Sequence, residues 1–164
     1  MNTKSRLVQK LGCFLRHDRG TALAELAIMV PILVLLVAAV SEFGRFFQQY
    51  TTLAKSTRTA ARYLSNHPFP DNQDKARNLA VCGKLSCAGE NPLVPNLSTA
   101  NICIESTGSP KIETVTIRLP RNADDACATP FPYQPIFNIG GLLGNSFSFA
   151  PDISPSVTMY YMLD

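Results

Sequence analysis

The sequence predicts an α+β protein: a long N-terminal helix, half transmembrane and half amphipathic extension, followed by a small disulfide-stabilised α+β domain with a short antiparallel sheet. Three observations predict it. From Leu26 to Val40 every residue is apolar. A spacing of three and four between apolar residues then continues to Leu64, which is helical periodicity. Beyond Pro68 the chain changes to short β-branched stretches broken by Pro, Gly and Asn, and it carries four of the five cysteines. At 164 residues the chain has room for one globular domain, and for less once a membrane segment is subtracted.

The net charge of +3 is unevenly placed. Residues 1–20 hold Lys4, Arg6, Lys10, Arg16 and Arg19 against Asp18 alone, a local +4 that leaves −1 for the remainder. The basicity belongs to this leader, and beyond it no patch interleaves aromatics with Lys or Arg. A nucleic-acid partner is therefore not expected.

Between Ala22 and Val40 only Glu25 interrupts the apolar run. That stretch rises about 28 Å as a helix, close to the hydrocarbon thickness of a bilayer. A core helix of a soluble protein is amphipathic, whereas this one is apolar all round. A secretory signal would be shorter and end at a cleavage site of small residues, but here Glu42-Phe43-Gly44-Arg45 follows within a continuing helix. Residues 21–41 are read as a transmembrane helix. The basic cluster before it and the balanced charge after it place the N-terminus in the cytoplasm and the C-terminal domain outside.

The stretch Arg19-Gly20-Thr21-Ala22-Leu23-Ala24-Glu25 is the most informative in the chain. A carboxylate at the start of a hydrocarbon segment costs several kcal/mol to bury and calls for a reason. Gly directly after basic residues, with Glu five positions later, is the processing pattern of type IV prepilins. A cut between Gly20 and Thr21 creates an α-amino group at Thr21 and makes Glu25 the fifth residue of the mature chain. In a packed filament the carboxylate would pair with that ammonium on a neighbouring subunit, offsetting the desolvation of both.

Residues 42–66 read as an amphipathic extension. Phe43, Phe46, Phe47, Tyr50, Leu53, Ala54, Thr57, Ala60, Ala61 and Leu64 form its apolar stripe. Asn66-His67-Pro68 ends it, because Pro cannot continue a helix and disfavours helical geometry just before it. A helix from about Thr21 to Ser65 would be about 65–70 Å long.

Here the chain resembles the TadE family of pseudopilins from tight-adherence (Flp pilus) secretion systems. The matching residues are Arg19-Gly20, Glu25, Pro31, Glu42-Phe43-Gly44-Arg45 and Ala60-Ala61-Arg62-Tyr63. Leu26 stands where the family commonly has Phe, and Ala60 where it commonly has Gly. The resemblance implies a minor pseudopilin in the bacterial inner membrane, cut by a prepilin peptidase between Gly20 and Thr21, with Glu25 serving processing or assembly. Its implied partners are that peptidase, other pilin and pseudopilin subunits, the inner-membrane secretion machinery and membrane lipid. Glu42 and Arg45 can form a helical pair at i, i+3, worth a few tenths of a kcal/mol if exposed, and a structural role at the membrane surface is expected for them in preference to any chemistry. The alternative reading is an uncleaved, signal-anchored periplasmic binding module.

Residues 67–164 form the exported domain. Asp71-Asn72-Gln73-Asp74 signals an N-capped helix ending near Cys82-Gly83. Ala100–Ser106 and Glu113–Leu119 alternate as strands about the turn Gly108-Ser109-Pro110, a β-hairpin. Phe131–Phe149 reads as loop with a helical piece around Ile136–Leu143. Val157–Leu163 is a strand by propensity and is expected to pair with the hairpin, with Tyr160 and Tyr161 on opposite faces.

Cys82, Cys87, Cys103 and Cys127 allow three connectivities. Cys82–Cys87 and Cys103–Cys127 are favoured, the first closing a short loop and the second linking a strand to the loop after it. A zinc site is disfavoured, since the domain proper has no His and C-x4-C with distant partners is not a usual zinc pattern. No metal or cofactor is expected. Gly140-Gly141-Leu142-Leu143-Gly144 lacks the Lys-Ser/Thr of a phosphate loop, and Asp124-Asp125 reads as a solvated turn. No enzyme is expected, because His67 is the one histidine after the leader and no base with an orienting partner can be named. A carboxylate pair among Glu90, Glu105, Glu113 and Asp152 is the catalytic alternative. Phe131, Tyr133, Phe137, Phe147 and Phe149 are read as core in preference to a binding surface.

Overall fold

The structure is a computed structural model, and it describes residues 18–69, 71–121, 127, 129–137 and 151–163. Most of the leader with Cys13, Asp124-Asp125, Gly140–Gly144, Phe147 and Phe149 lie outside the described residues, as does most of the helical piece expected at 136–143. Ile136 and Phe137 themselves form a bend.

Helix α1 spans Asp18–Ser65 and keeps Pro31 within it. The chain divides into two compact units, residues 1–41 and 42–164. In the first, the described residues are helical and their apolar side chains are exposed on every face, from Leu23 through Val40. Here α1 is long and apolar enough to cross a membrane, and none of that stretch is buried by the chain itself. A lipid phase is the environment in which such a surface is stable.

In the second unit α1 supplies one wall of the core. Leu53, Thr57, Ala60, Ala61 and Leu64 are fully buried. The buried Thr57 hydroxyl donates to the Leu53 carbonyl at 2.9 Å, so no polar group is left unsatisfied there. The packed stripe differs from the expected one at its N-terminal end, where Phe43, Phe47 and Tyr50 remain exposed and Glu42 is buried instead. Helix α1 ends as the sequence requires. Asn66 turns its side-chain amide back onto the Arg62 carbonyl at 2.9 Å, and the His67 ring stacks on Tyr63 with centroids 3.9 Å apart.

Helix α2 spans Gln73–Cys82, and Gly83 closes it in the left-handed conformation with its N–H on the Leu79 carbonyl. Asn72 occupies the N-cap position without capping by its side chain. Its amide donates to the Pro68 carbonyl at 2.9 Å instead, and its oxygen accepts from Lys75 at 3.2 Å. A 3-10 turn, Thr99–Asn101, takes up residues expected to open the first strand. The buried Asn101 amide bonds the Thr129 carbonyl and hydroxyl at 3.1 and 3.0 Å, which favours the turn over an extended start.

The sheet has three antiparallel strands in the order β1 (Cys103–Thr107), β2 (Thr114–Arg118), β3 (Ser156–Tyr160). The register pairs Ile104 with Ile117, and Ile117 with Val157. This alternation turns Ile104, Val115, Ile117, Val157 and Met159 to the core. Threonines take the other face, where Thr116 and Thr158 share a hydroxyl contact of 2.8 Å. The β1–β2 turn needs Gly108, whose φ is +108° and where a Cβ would collide with the Lys111 backbone. Strand β3 stops earlier than propensity suggests. After Tyr160, the Tyr161 N–H still donates to the Glu113 carbonyl beside β2 at 2.8 Å, and the Met162 N–H then turns to the Ser65 carbonyl at 3.0 Å, drawing the chain off the sheet toward the end of α1. Tyr160 is exposed, while the half-buried Tyr161 hydroxyl accepts the Phe69 N–H at 3.1 Å.

Candidate functional site

Two places in α1 carry the chemistry that the sequence singles out. Gly20, Thr21 and Glu25 lie in helix and are exposed. A Cβ on Gly20 would meet nothing within 4 Å. Packing within the chain therefore gives no reason for glycine there, although glycine weakens a helix by about 1 kcal/mol relative to alanine. Glu25 stands among exposed apolar neighbours, Leu23, Leu26 and Ile28.

The second place was not legible as a site. Glu42, expected to form a helical pair with Arg45, is only 5 % exposed. Its Oε1 accepts the Tyr133 hydroxyl, and also the Ile136 N–H at 3.1 Å. The Phe137 amide also lies where it favours the charged carboxylate. The Tyr133 ring is itself buried and meets the edge of Phe46, with centroids 5.3 Å apart and an interplanar angle of 89°. Together these contacts form a clasp that ties the segment 133–137 to the helix at its first residue in the domain.

The electrostatics follow from burial and its compensation. Burial opposes ionisation of Glu42, but the Tyr133 hydroxyl, the Ile136 and Phe137 amides and the Arg45 charge together hold its pKa below the usual carboxylate value. Tyr133 responds in the opposite sense. Its burial, its donation to Glu42 and the Glu42 charge push its pKa up to about 12, while Arg45 works against them. Glu42 Oε2 and Arg45 Nη1 are buried without a hydrogen-bond partner among the described residues.

Cys82 is joined to Cys87 with Cα atoms 5.8 Å apart, fastening the end of α2 to the turn after it. Cys103 is joined to Cys127 with Cα atoms 5.5 Å apart, fastening β1 to a distant loop. Glu105 lies close to that second pair, but bonded sulfurs are not thiolates and offer no metal ligand. Of the carboxylates weighed as a catalytic pair, Glu105 pairs with Arg118 at 2.6 Å and Glu90 with Lys84 at 2.5 Å. Of the five aromatics, Phe131 and Tyr133 are core, whereas Phe137 is exposed. A shallow cavity of about 410 Å³ lies between α2 and the 3-10 turn, lined by Asp74, Arg77, Asn78, Thr99, Ala100, Ile102 and Cys127.

Among the described residues these features define a class: a membrane-length apolar helix and a small, disulfide-tied α+β domain that includes the C-terminal part of that helix. Residues 20–62 match the family model described as TadE-like protein. The match takes in Gly20, Glu25, the apolar run and Glu42–Arg45. No curated protein and no solved structure matches the chain.

Proposed function

We propose that the chain is a minor pseudopilin of a tight-adherence (Flp-type) pilus or secretion system, contributing to pilus assembly and surface adhesion after a prepilin peptidase cuts between Gly20 and Thr21. The observation that carries this reading is the TadE-like match over residues 20–62. The role is structural, not catalytic. The basic residues before the span hold the N-terminus in the cytoplasm and leave the domain in the periplasm, from where it is available for incorporation into a pilus.

The chemistry of the cut supports the reading. A peptidase that must close around the backbone ahead of Thr21 needs a residue without a side chain, and Gly20 has no packing role that competes with that one. Glu25 then meets the new Thr21 ammonium, or that of a neighbouring subunit. Such a pair brings two charges into an apolar bundle as one neutral unit. Other pilin and pseudopilin subunits, and the inner-membrane secretion machinery, are the partners this role requires.

The test is the intact mass and N-terminal sequence of the protein extracted from its native membrane. A chain beginning at Thr21 is the expected result. A chain that keeps its leader in cells with an active prepilin peptidase would overturn the reading in favour of an uncleaved, signal-anchored periplasmic binding module.

A further inference from the structure

The domain exposes apolar side chains at one end of its helix. Phe43 and Phe47 are 61 % and 58 % exposed, and their i, i+4 spacing puts them on one face of α1. Tyr50, also exposed, continues that face one turn further on. Ile136 and Phe137 are 62 % and 48 % exposed. The Glu42 carboxylate holds the Ile136 amide at 3.1 Å, which fixes this bend beside the helical turn that carries Phe43. An exposed group of large apolar side chains of this kind marks an interaction surface.

We propose that Phe43, Phe47, Ile136 and Phe137 form a membrane-docking edge of the exported domain, seated in the acyl–headgroup boundary of the leaflet where the apolar helix emerges. The proposal rests on the membrane-anchored part of the function proposed above and adds a lipid contact made by the domain itself.

Three observations choose lipid over a second copy of the chain. The first is continuity. The patch begins where the all-round apolar surface ending at Val40 gives out, and Phe43 and Phe47 follow Val40 by about 4 and 10 Å of helical rise. That distance crosses the headgroup layer. The second is the order of residue types, phenylalanine nearest the apolar run and tyrosine furthest from it, which follows the polarity gradient of a bilayer interface. The third is backbone satisfaction. Irregular backbone is tolerated at a lipid boundary when its polar groups have partners inside the protein. Glu42 supplies an acceptor for the Ile136 N–H, so the bend can enter the interface without leaving that donor bare.

The chain contains no tryptophan, so single-Trp variants report their surroundings without background. Leu33→Trp, Phe137→Trp, Ile136→Trp and Tyr160→Trp are made in the full chain. Each is reconstituted into phosphatidylethanolamine–phosphatidylglycerol vesicles with plain or brominated acyl chains. Leu33→Trp reports the span and Tyr160→Trp reports water, since Tyr160 is 78 % exposed on β3. The proposal expects Phe137→Trp and Ile136→Trp to emit to the blue of Tyr160→Trp and to lose intensity with brominated lipid, to a degree between the two controls. Emission and quenching equal to those of Tyr160→Trp, with Leu33→Trp still quenched, would overturn the docking edge and leave the anchor standing. Blue-shifted emission without quenching would also overturn it, by showing that protein covers the patch. An unquenched Leu33→Trp would remove the span and the docking edge together.

Discussion

Glu25 and Glu42 stand in the same helix and meet their surroundings in opposite ways. Glu25 is exposed amid Leu23, Leu26 and Ile28, and no hydrogen bond or ion pair engages it among the described residues. Glu42 is buried, and the chain surrounds its carboxylate with the Tyr133 hydroxyl and the Ile136 and Phe137 amides. A carboxylate satisfied within its own chain belongs to folding. One left bare in an apolar stretch belongs to whatever that stretch meets: a peptidase, a lipid headgroup or another subunit. The comparison therefore separates the part of α1 that builds the domain from the part that the chain leaves uncovered, and substitutions at the two positions should have unlike consequences.

The largest effect is expected at Glu42. Glu42→Ala strands the buried Tyr133 hydroxyl and the Ile136 amide at once, and should destabilise the domain by about 3 kcal/mol. Glu42→Gln keeps an acceptor and should lose about 1 kcal/mol. Thermal unfolding of the full chain in detergent micelles, followed by near-ultraviolet circular dichroism, reads both. If Glu42→Ala melts with the wild type, the clasp contributes nothing to the fold and the contrast with Glu25 collapses.

A smaller effect, and a signed one, comes from pH. Glu42 has a folded pKa below its ordinary value of 4.5, so its contribution is present above that value and is lost as acid drives the pH down through the lowered one. Tyr133 has a folded pKa raised from 10.0 to about 12. Its contribution is complete below pH 10 and is lost as the pH climbs toward about 12. Tyr133→Phe tests the coupling between the two. Without the hydroxyl, burial weighs more heavily on Glu42, so the acid transition should begin at higher pH, while the Tyr133 share of the alkaline transition disappears. Unfolding midpoints measured across pH for the two proteins check it. Parallel curves would mean that Tyr133 and Glu42 titrate independently.

Much of this was legible in the sequence where the signal is local. The apolar run, the helix stop at Asn66-His67-Pro68, the hairpin about Gly108 and the third strand depend on neighbours a few residues apart, whereas the choice of β2 as the partner of the third strand is a long-range pairing that local signals leave open. The clasp depends on Tyr133 reaching Glu42 across 91 positions, and Tyr133 sits in a stretch whose Pro and Gly content reads as loop. Periodicity failed at Phe43, Phe47 and Tyr50 for a related reason. It registers that a face is apolar without registering what covers it, and the chain covers the neighbouring face of Leu53, Thr57, Ala60 and Leu64 instead. The motif Glu42-Phe43-Gly44-Arg45 was visible as a resemblance, but the burial of its carboxylate is a tertiary fact. Asn72 makes the same point on a smaller scale: its type predicts a cap, and a nearer carbonyl on Pro68 takes the side chain.

The smallest effect on the fold is expected at Glu25, and it sharpens the comparison most. Glu25 has no partner among the described residues, so Glu25→Ala removes no contact of the domain, and alanine is if anything the better helix former. The unfolding midpoint should stay within experimental scatter of the wild type, and the protein should remain in the membrane fraction. On the function proposed above, leader removal or pilus assembly should nevertheless fall, because the carboxylate proposed to meet the Thr21 ammonium is gone. The two readouts come from one culture: immunoblots of the membrane fraction for the size and amount of the protein, and of sheared surface material for pili. Wild-type pilus levels with normal processing would mean that Glu25 sits at the headgroup level and does nothing further. Reduced pili with a normal, correctly cut membrane pool would assign the carboxylate to subunit packing, and an uncut pool would assign it to the peptidase.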